Sequence, residues 1–321
     1  MFGAAFLNTY ARRSVGAWEQ AALDLARQGG LAPWPYVDVT ISDGQNTLVL
    51  PVQSDVLAVG TLEDYVRLPL TPNMGQAIAN LTGALLPTPW IEYAIWRAAP
   101  LKLDPVAMAP NQGASLEQYA AHSRIIDDEL RARGATPGSP ASQLVAGIKK
   151  GVVIANFYKP GKVLLFGWYR YHLIDKAGQV LPELAPNVFD DGKPMGSPNR
   201  QPIQPKSNVH AEGYVDYSHG IRLIGPVCTV NGQQMSTVEV YQHPQFHKLV
   251  NPDVANGPGQ GGPIRTPRYP APVPPAPVRI AGTAVMGPAA ETVVARQGRV
   301  PYSPDPTEVA LDDIARRRGG F

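Results

Sequence analysis

Apolar residues recur three and four apart over residues 16–28, "GAWEQAALDLARQ", which puts Trp18, Ala21, Ala22, Leu25 and Ala26 on one helical face. Gly29 and Gly30 then stop the helix. The period changes to alternation in "PYVDVTISDGQNTLVLPV", two β-branched runs around the turn-prone pair Asp43-Gly44, and this predicts a hairpin. "DVLAVG" predicts a short buried strand. Helical spacing returns after Thr71-Pro72, with Met74, Ile78 and Leu81 inward, and again in "TPWIEYAIWRAA". In "SLEQYAAHSRIIDDELRARG", Ser115 and Gln118 form a capping-box pattern and Gly134 closes the segment.

Beyond "ATPGSPAS" the pattern becomes β-like. "VVIANFY", "KVLLFGWYRYHLID", "YVDYSHGIRLIG", "PVCTVNG" and "MSTVEVYQ" predict strands, with "DKAGQ" and "VNGQQ" as hairpin turns. The resulting expectation is an α+β fold: an α-rich N-terminal half on an antiparallel sheet from about 145 to 243. It forms one globular unit over 1–250, with a sub-boundary near 135–145. From 251 to 321 the composition, "NGPGQGGPIRTPRYPAPVPPAPVRI", predicts an extended proline-rich tail with a short terminal helix in "DPTEVALDDIARRRGG". On this reading, removal of residues 257–321 leaves the melting temperature nearly unchanged.

Composition narrows the function classes. Lys and Arg total 28 against 26 Asp and Glu, a net charge of +2, which gives no electrostatic case for nucleic acid as partner. The single Cys228 allows no intramolecular disulfide and sits in the apolar run "IGPVCTV" as strand core. No window has the roughly 18 apolar residues of a membrane span. The short apolar start before Arg12 and Arg13 lacks the order of a secretory signal. These features predict a soluble protein, cytoplasmic or carried in a particle such as a virion.

Site-like chemistry concentrates in "NVHAEGYVDYSHGIRL", residues 208–223. Strand alternation places Asp216 and Ser218 on one face with Tyr214, and His210 reaches over it from the preceding loop. One reading is a divalent-metal site with His210, Asp216 and His243 as ligands, with His219 or His247 as substitutes for His243, and Glu212 or Glu239 as base. Zinc is the ion such a nitrogen and oxygen set takes. A second reading makes Ser218 a nucleophile, His210 or His219 its base and Asp216 the orienting carboxylate, although no GxSxG elbow is present. A third makes the same residues an ordered β-corner whose polar groups satisfy one another. Arg222 is a candidate for holding a substrate carboxylate through its bidentate fork. Tyr214 and Trp168, the latter in the aromatic run "GWYRYHLI", complete the substrate-binding candidates. Cys228 as nucleophile, His122 as ligand and Lys149-Lys150 as an anion site carry less of the pattern.

Two resemblances bear on these alternatives. "NVHAEGYVD" resembles the His-x-x-Gly-x-Ala-x-Asp signature of D-alanyl-D-alanine carboxypeptidases and related phage endolysin peptidases. It is one residue shorter between His210 and Asp216, and "EVYQH" is a stretched counterpart of their Glu-x-x-His. More broadly, "LLPTPWIEYAIWRAAPLKL", "LVAGIKKGVVI", "FGWYR", "QPIQPKSNVH" and "YVDYSHGIRLI" resemble an uncharacterised group of bacterial and bacteriophage-encoded proteins. The resemblances imply a hydrolase of peptide or peptidoglycan-like polymer, associated with a phage or particle. The competing expectation is a non-catalytic virion or assembly component whose proline-rich tail binds neighbouring subunits.

Overall fold

A computed structural model describes residues 3–108, 115–138, 143–253 and 261–270. Chain order begins with α1 (Gly3–Tyr10) and α2 (Val15–Arg27), then β1 (Tyr36–Ser42), β2 (Thr47–Gln53), β3 (Ala58–Gly60) and β4 (Tyr65–Arg67). Next come α3 (Pro72–Leu81), α4 (Pro89–Ala98), β5 (Leu101–Lys102) and α5 (Leu116–Ala132). The second half holds β6 (Val145–Ala146), β7 (Lys150–Val152), β8 (Leu165–Gly167), β9 (His172–Ile174) and β10 (Val180–Leu184). It closes with β11 (Gln204–Ser207), β12 (His219–Gly220), β13 (Val227–Val230), β14 (Gln233–Ser236) and α6 (Thr237–Gln242). The fold is α+β.

Local chemistry accounts for the element ends. The Ser115 hydroxyl accepts the Gln118 N–H while the Gln118 side chain reaches back to the Ser115 N–H, so the capping box of α5 forms as expected. Thr88 caps α4 by accepting the Ile91 N–H, and Pro89 supplies the pre-set φ of the first turn. Thr71 does not cap α3 with its own side chain. Glu19 from α2 reaches across instead, accepting from the Thr71 N–H at 2.5 Å and the Thr71 hydroxyl at 3.1 Å. Burial pushes the Glu19 carboxyl up to about 6 against the lowering effect of the two Thr71 hydrogen bonds.

Two four-stranded sheets organise the chain. The first has the order β1-β2-β13-β14, all antiparallel, with Val37, Val39, Ile41, Leu48, Leu50 and Val52 on its buried face. The expected sheet began near 145; half of this one comes from the N-terminal hairpin, because Val49 and Leu48 pair with Thr229 and Val230. Asn231 (φ 50°) and Gly232 (φ 82°) make its second turn in the left-handed region that a type I′ hairpin requires. The second sheet has the order β11-β8-β7-β12, and β12 runs parallel to β7. A continuous apolar core runs from Phe6 to Tyr269.

Three expectations change. "KVLLFGWYRYHLID" is two strands, because Gly167 (φ 105°) and Trp168 (φ 62°) break the ladder between β8 and β9. "MSTVEVYQ" turns helical after Ser236, since α6 buries Val240 and Tyr241 together on one face, whereas alternation would send adjacent residues to opposite sides. The expected tail does not start at 251. Ile264 and Tyr269 are buried, the Ile264 N–H donates to the Tyr241 carbonyl, and Arg268 donates to the Gly83 and Ala84 carbonyls and to Asn80. The proline-rich run after Pro270 and the terminal helix lie outside the described residues.

Candidate functional site

The segment 208–218 is a loop, and within "YVDYSHGIRLIG" His219 and Gly220 form a strand while Ile224 makes single bridges to Val52 and Leu85. The loop is tied down on both sides. The Val163 N–H donates to the His210 carbonyl, the Glu212 N–H to Gly161, and the Lys150 N–H to the Ser218 carbonyl. Gly220 is a point of close approach, since a Cβ there would lie 2.7 Å from the Lys149 Cβ and 2.9 Å from Val56.

Asp216 therefore does not share a strand face with Ser218. It closes an Asx turn: Oδ1 accepts the Ser218 N–H at 2.7 Å and a short hydrogen bond from the Ser218 hydroxyl, while Oδ2 accepts the Tyr214 hydroxyl at 3.0 Å. The His219 Nε2 stands 3.8 Å from Oδ2, beyond hydrogen-bond length. His219 is 1 % exposed, and neither ring nitrogen has a hydrogen-bond partner among the described residues. Tyr214 sits edge-on to His219 at 5.6 Å and stacks on His210 at 4.1 Å between ring centres. The chain His210, Tyr214, Asp216 thus links by stacking and one hydrogen bond.

Lys150 completes the group. His219 and Gly167 are its register partners on either side, so Lys150 and His219 lie side by side on one sheet face, and the Lys150 ammonium rests 4.8 Å from the centre of the Trp168 ring. Burial pulls His219 down to about 4, Asp216 partly opposing and Lys150 and His210 adding to the fall. Burial alone would raise Asp216, but His219, the Ser218 hydrogen bonds and Lys150 bring it down to about 2. At neutral pH the site is a carboxylate beside a neutral imidazole. The Lys149-Lys150 pair carried little of the pattern as an anion site. Its one signal was an apolar run on both sides, "AGIKKGVVI", which marks a buried strand.

Several candidates fall elsewhere. Arg222 is buried, and its guanidinium donates to the Gln53 and Val145 carbonyls at 2.6 Å each, so the fork expected to hold a substrate carboxylate instead ties the second half of the chain to the first. His243 follows α6 and spends Nδ1 accepting the Gln245 and Phe246 N–H groups. No cluster of His, Cys, Asp and Glu suited to a metal ion occurs among the described residues, so the set His210, Asp216 and His243 is not brought together. The Ser218 hydroxyl points its proton at Asp216 rather than at a histidine, which removes the relay a serine nucleophile needs. Cys228 is buried core and burial raises its thiol.

His122, on α5, is 1 % exposed. Its Nδ1 lies 2.9 Å from the Lys149 Nζ and its Nε2 3.2 Å from the Val106 carbonyl. An ammonium only donates, so Nδ1 accepts and Nε2 carries the hydrogen. Burial, then the Arg67 charge, lowers Lys149 from the usual 10.5 to about 7. Unfolded, this amine binds a proton more tightly, so the unfolded chain holds more protons between pH 7 and 10.5 and stability rises with pH there. Thermal melts should therefore show the midpoint climbing from pH 7 to about 9, before tyrosines ionise. In Lys149→Met most of that slope should vanish; an unchanged slope would mean that Lys149 is charged and solvated.

Comparisons of the chain with protein-family models, with curated proteins and with solved structures find no match. No helix among the described residues is long and apolar enough to cross a membrane.

Proposed function

We propose that this protein is a hydrolase in which His219 activates water and Asp216 orients the imidazole. The observation that carries this reading is His219 itself. A buried imidazole with no hydrogen-bond partner among the described residues, held neutral beside an ionised carboxylate, is costly as pure scaffold and keeps an unprotonated ring nitrogen at neutral pH. Nε2 faces Asp216, so a small closure from 3.8 Å gives an Nε2–H to carboxylate hydrogen bond and leaves the Nδ1 lone pair free. Nδ1 then takes a proton from water as its oxygen attacks a substrate carbonyl. The imidazolium returns that proton to the leaving amine as the carbon–nitrogen bond breaks. Asp216 stays ionised throughout.

The substrate class we favour is a peptide or peptidoglycan-like polymer, on a phage or phage-like particle. The half-exposed Tyr214, stacked on His210, forms the outer wall of the site and offers a flat platform of the kind on which sugar and peptide groups pack. Ser218 acts by fixing Asp216.

His219→Gln should abolish release of peptide from purified cell-wall sacculi while changing the melting temperature by less than about 2 °C, the shift of roughly 1 kcal/mol in a chain of this size. The wild-type rate should rise through about pH 4 as His219 loses its proton, then level off. Retained release in His219→Gln would rule this mechanism out. A non-catalytic assembly component is the second reading, favoured by the fact that both Asp216 oxygens are already used within the turn. It is upheld if no polymer is cleaved and Asp216→Asn alone costs about 1–3 kcal/mol of stability.

A further inference from the structure

The polar atoms around His219 do not balance, and the imbalance has a sign. The Trp168 indole N–H is buried and, like both His219 nitrogens, has no hydrogen-bond partner among the described residues. Trp168 holds the left-handed backbone conformation (φ 62°), which is unfavourable for a bulky residue and persists only where the surroundings impose it. The Lys150 ammonium lies against the face of that ring, so its N–H groups remain available to an acceptor. Gly167, its register partner, leaves open space: a Cβ there would meet nothing within 4 Å. The inventory is then an indole N–H and an ammonium as donors, with the imidazole N–H directed at Asp216. A ligand that satisfies them must bring oxygen acceptors.

We infer that Lys150, Trp168 and His219 form a subsite for a carboxylate carried by the ligand, of the kind a peptide presents at its C-terminus. Charge selects the monoanion. The Lys150 ammonium packs on the Trp168 ring rather than in an ion pair among the described residues, so a single carboxylate charge supplies its partner, while a doubly charged phosphate meets stronger repulsion from Asp216. A carboxylate also has two oxygens, enough to span the ammonium and the indole N–H, which a single carbonyl does not. Asp216 borders His219 from its turn, and Tyr214 packs edge-on to His219 with His210 stacked against it. The inference rests on the hydrolase reading only in taking the carboxylate to be a substrate's. It narrows that substrate to chains cut near a free C-terminal end.

The test uses the full chain and the probe N-acetyl-trialanine, as the free acid and as its C-terminal amide, with binding followed by NMR. The free acid should bind at least tenfold more tightly than the amide, and it alone should shift the Trp168 indole N–H resonance. Raising the salt should weaken the acid and spare the amide. Lys150→Gln should bring the two affinities together; if that variant does not fold, the salt series and the indole shift on the unmodified chain decide the matter. Equal affinities, or an indole resonance that the acid leaves in place, would overturn the subsite. Preferential binding of the acid without cleavage of any polymer would keep the subsite and remove the hydrolase. Cleavage of acid and amide peptides at equal rates, with equal affinities, would do the reverse.

Discussion

Arg67→Met should destabilise the chain by about 3–5 kcal/mol, the cost of leaving buried carboxylates without their cation. The guanidinium is fully buried at the end of β4 and meets groups from two other parts of the chain. Its Nε and one terminal nitrogen donate to Asp55 Oδ2 at 2.9 and 2.8 Å, and the other terminal nitrogen donates to Asp127 on α5 at 2.7 Å and to the Ser123 carbonyl at 3.2 Å. Asp55 follows β2 and is itself 3 % exposed. Removing the arginine leaves that carboxylate in a low dielectric with, among the described residues, the Val56 N–H at 2.6 Å as its remaining donor. Methionine fills much of the volume, so the loss reads electrostatics rather than a cavity. Chemical denaturation should show a lower midpoint with an unchanged slope. Adding Asp55→Asn should recover part of the loss, because the orphaned charge is then gone. A loss below about 1 kcal/mol would mean that water reaches the cluster and screens it.

The second large effect is expected at Tyr269, in the stretch whose composition pointed to a free tail. Tyr269 is 3 % exposed, edge-on to Tyr158 at 4.8 Å. Its hydroxyl accepts the Leu164 N–H at 3.1 Å and donates to the Val153 carbonyl at 2.8 Å, bridging the ends of β7 and β8. Tyr269→Ala should cost about 3–5 kcal/mol through lost burial and the cavity left behind. Tyr269→Phe keeps the ring and strands two backbone groups, so its cost should be about 1–3 kcal/mol. Differential scanning calorimetry on both variants separates packing from hydrogen bonding. A midpoint unmoved by Tyr269→Ala would return residues 261–270 to the status of a loose tail.

Lys150 and Trp168 show how the candidate site was half legible. "YVDYSH" stands out because acids, hydroxyls and histidines crowd together in it, and Asp216, Ser218, Tyr214 and His219 do meet, through contacts two or three residues apart. Their geometry is not legible in the sequence because an Asx turn and a strand share the same residue types, and no periodicity distinguishes them over five positions. Lys150 comes from another strand 69 positions away from His219, paired with it only once β12 docks parallel to β7.

What the sequence determined by itself was a set of features made by neighbours along the chain. The capping box of Ser115 and Gln118, the Thr88-Pro89 helix start, the Asp43-Gly44 and Asn231-Gly232 turns and the alternation of β1 and β2 depend on groups a few residues apart. Their energies belong to the local chain and so leave a local mark. Tertiary structure decided the rest. It set α6 as a helix despite its β-branched residues, and it spent Arg222 on two carbonyls more than 70 positions away. It also buried His122 against Lys149 and folded Tyr269 under β7 and β8. In each of these a polar or bulky group gains its partner only when distant segments exclude water together, and burial of that kind depends on the packing of the whole molecule rather than on any window of its sequence.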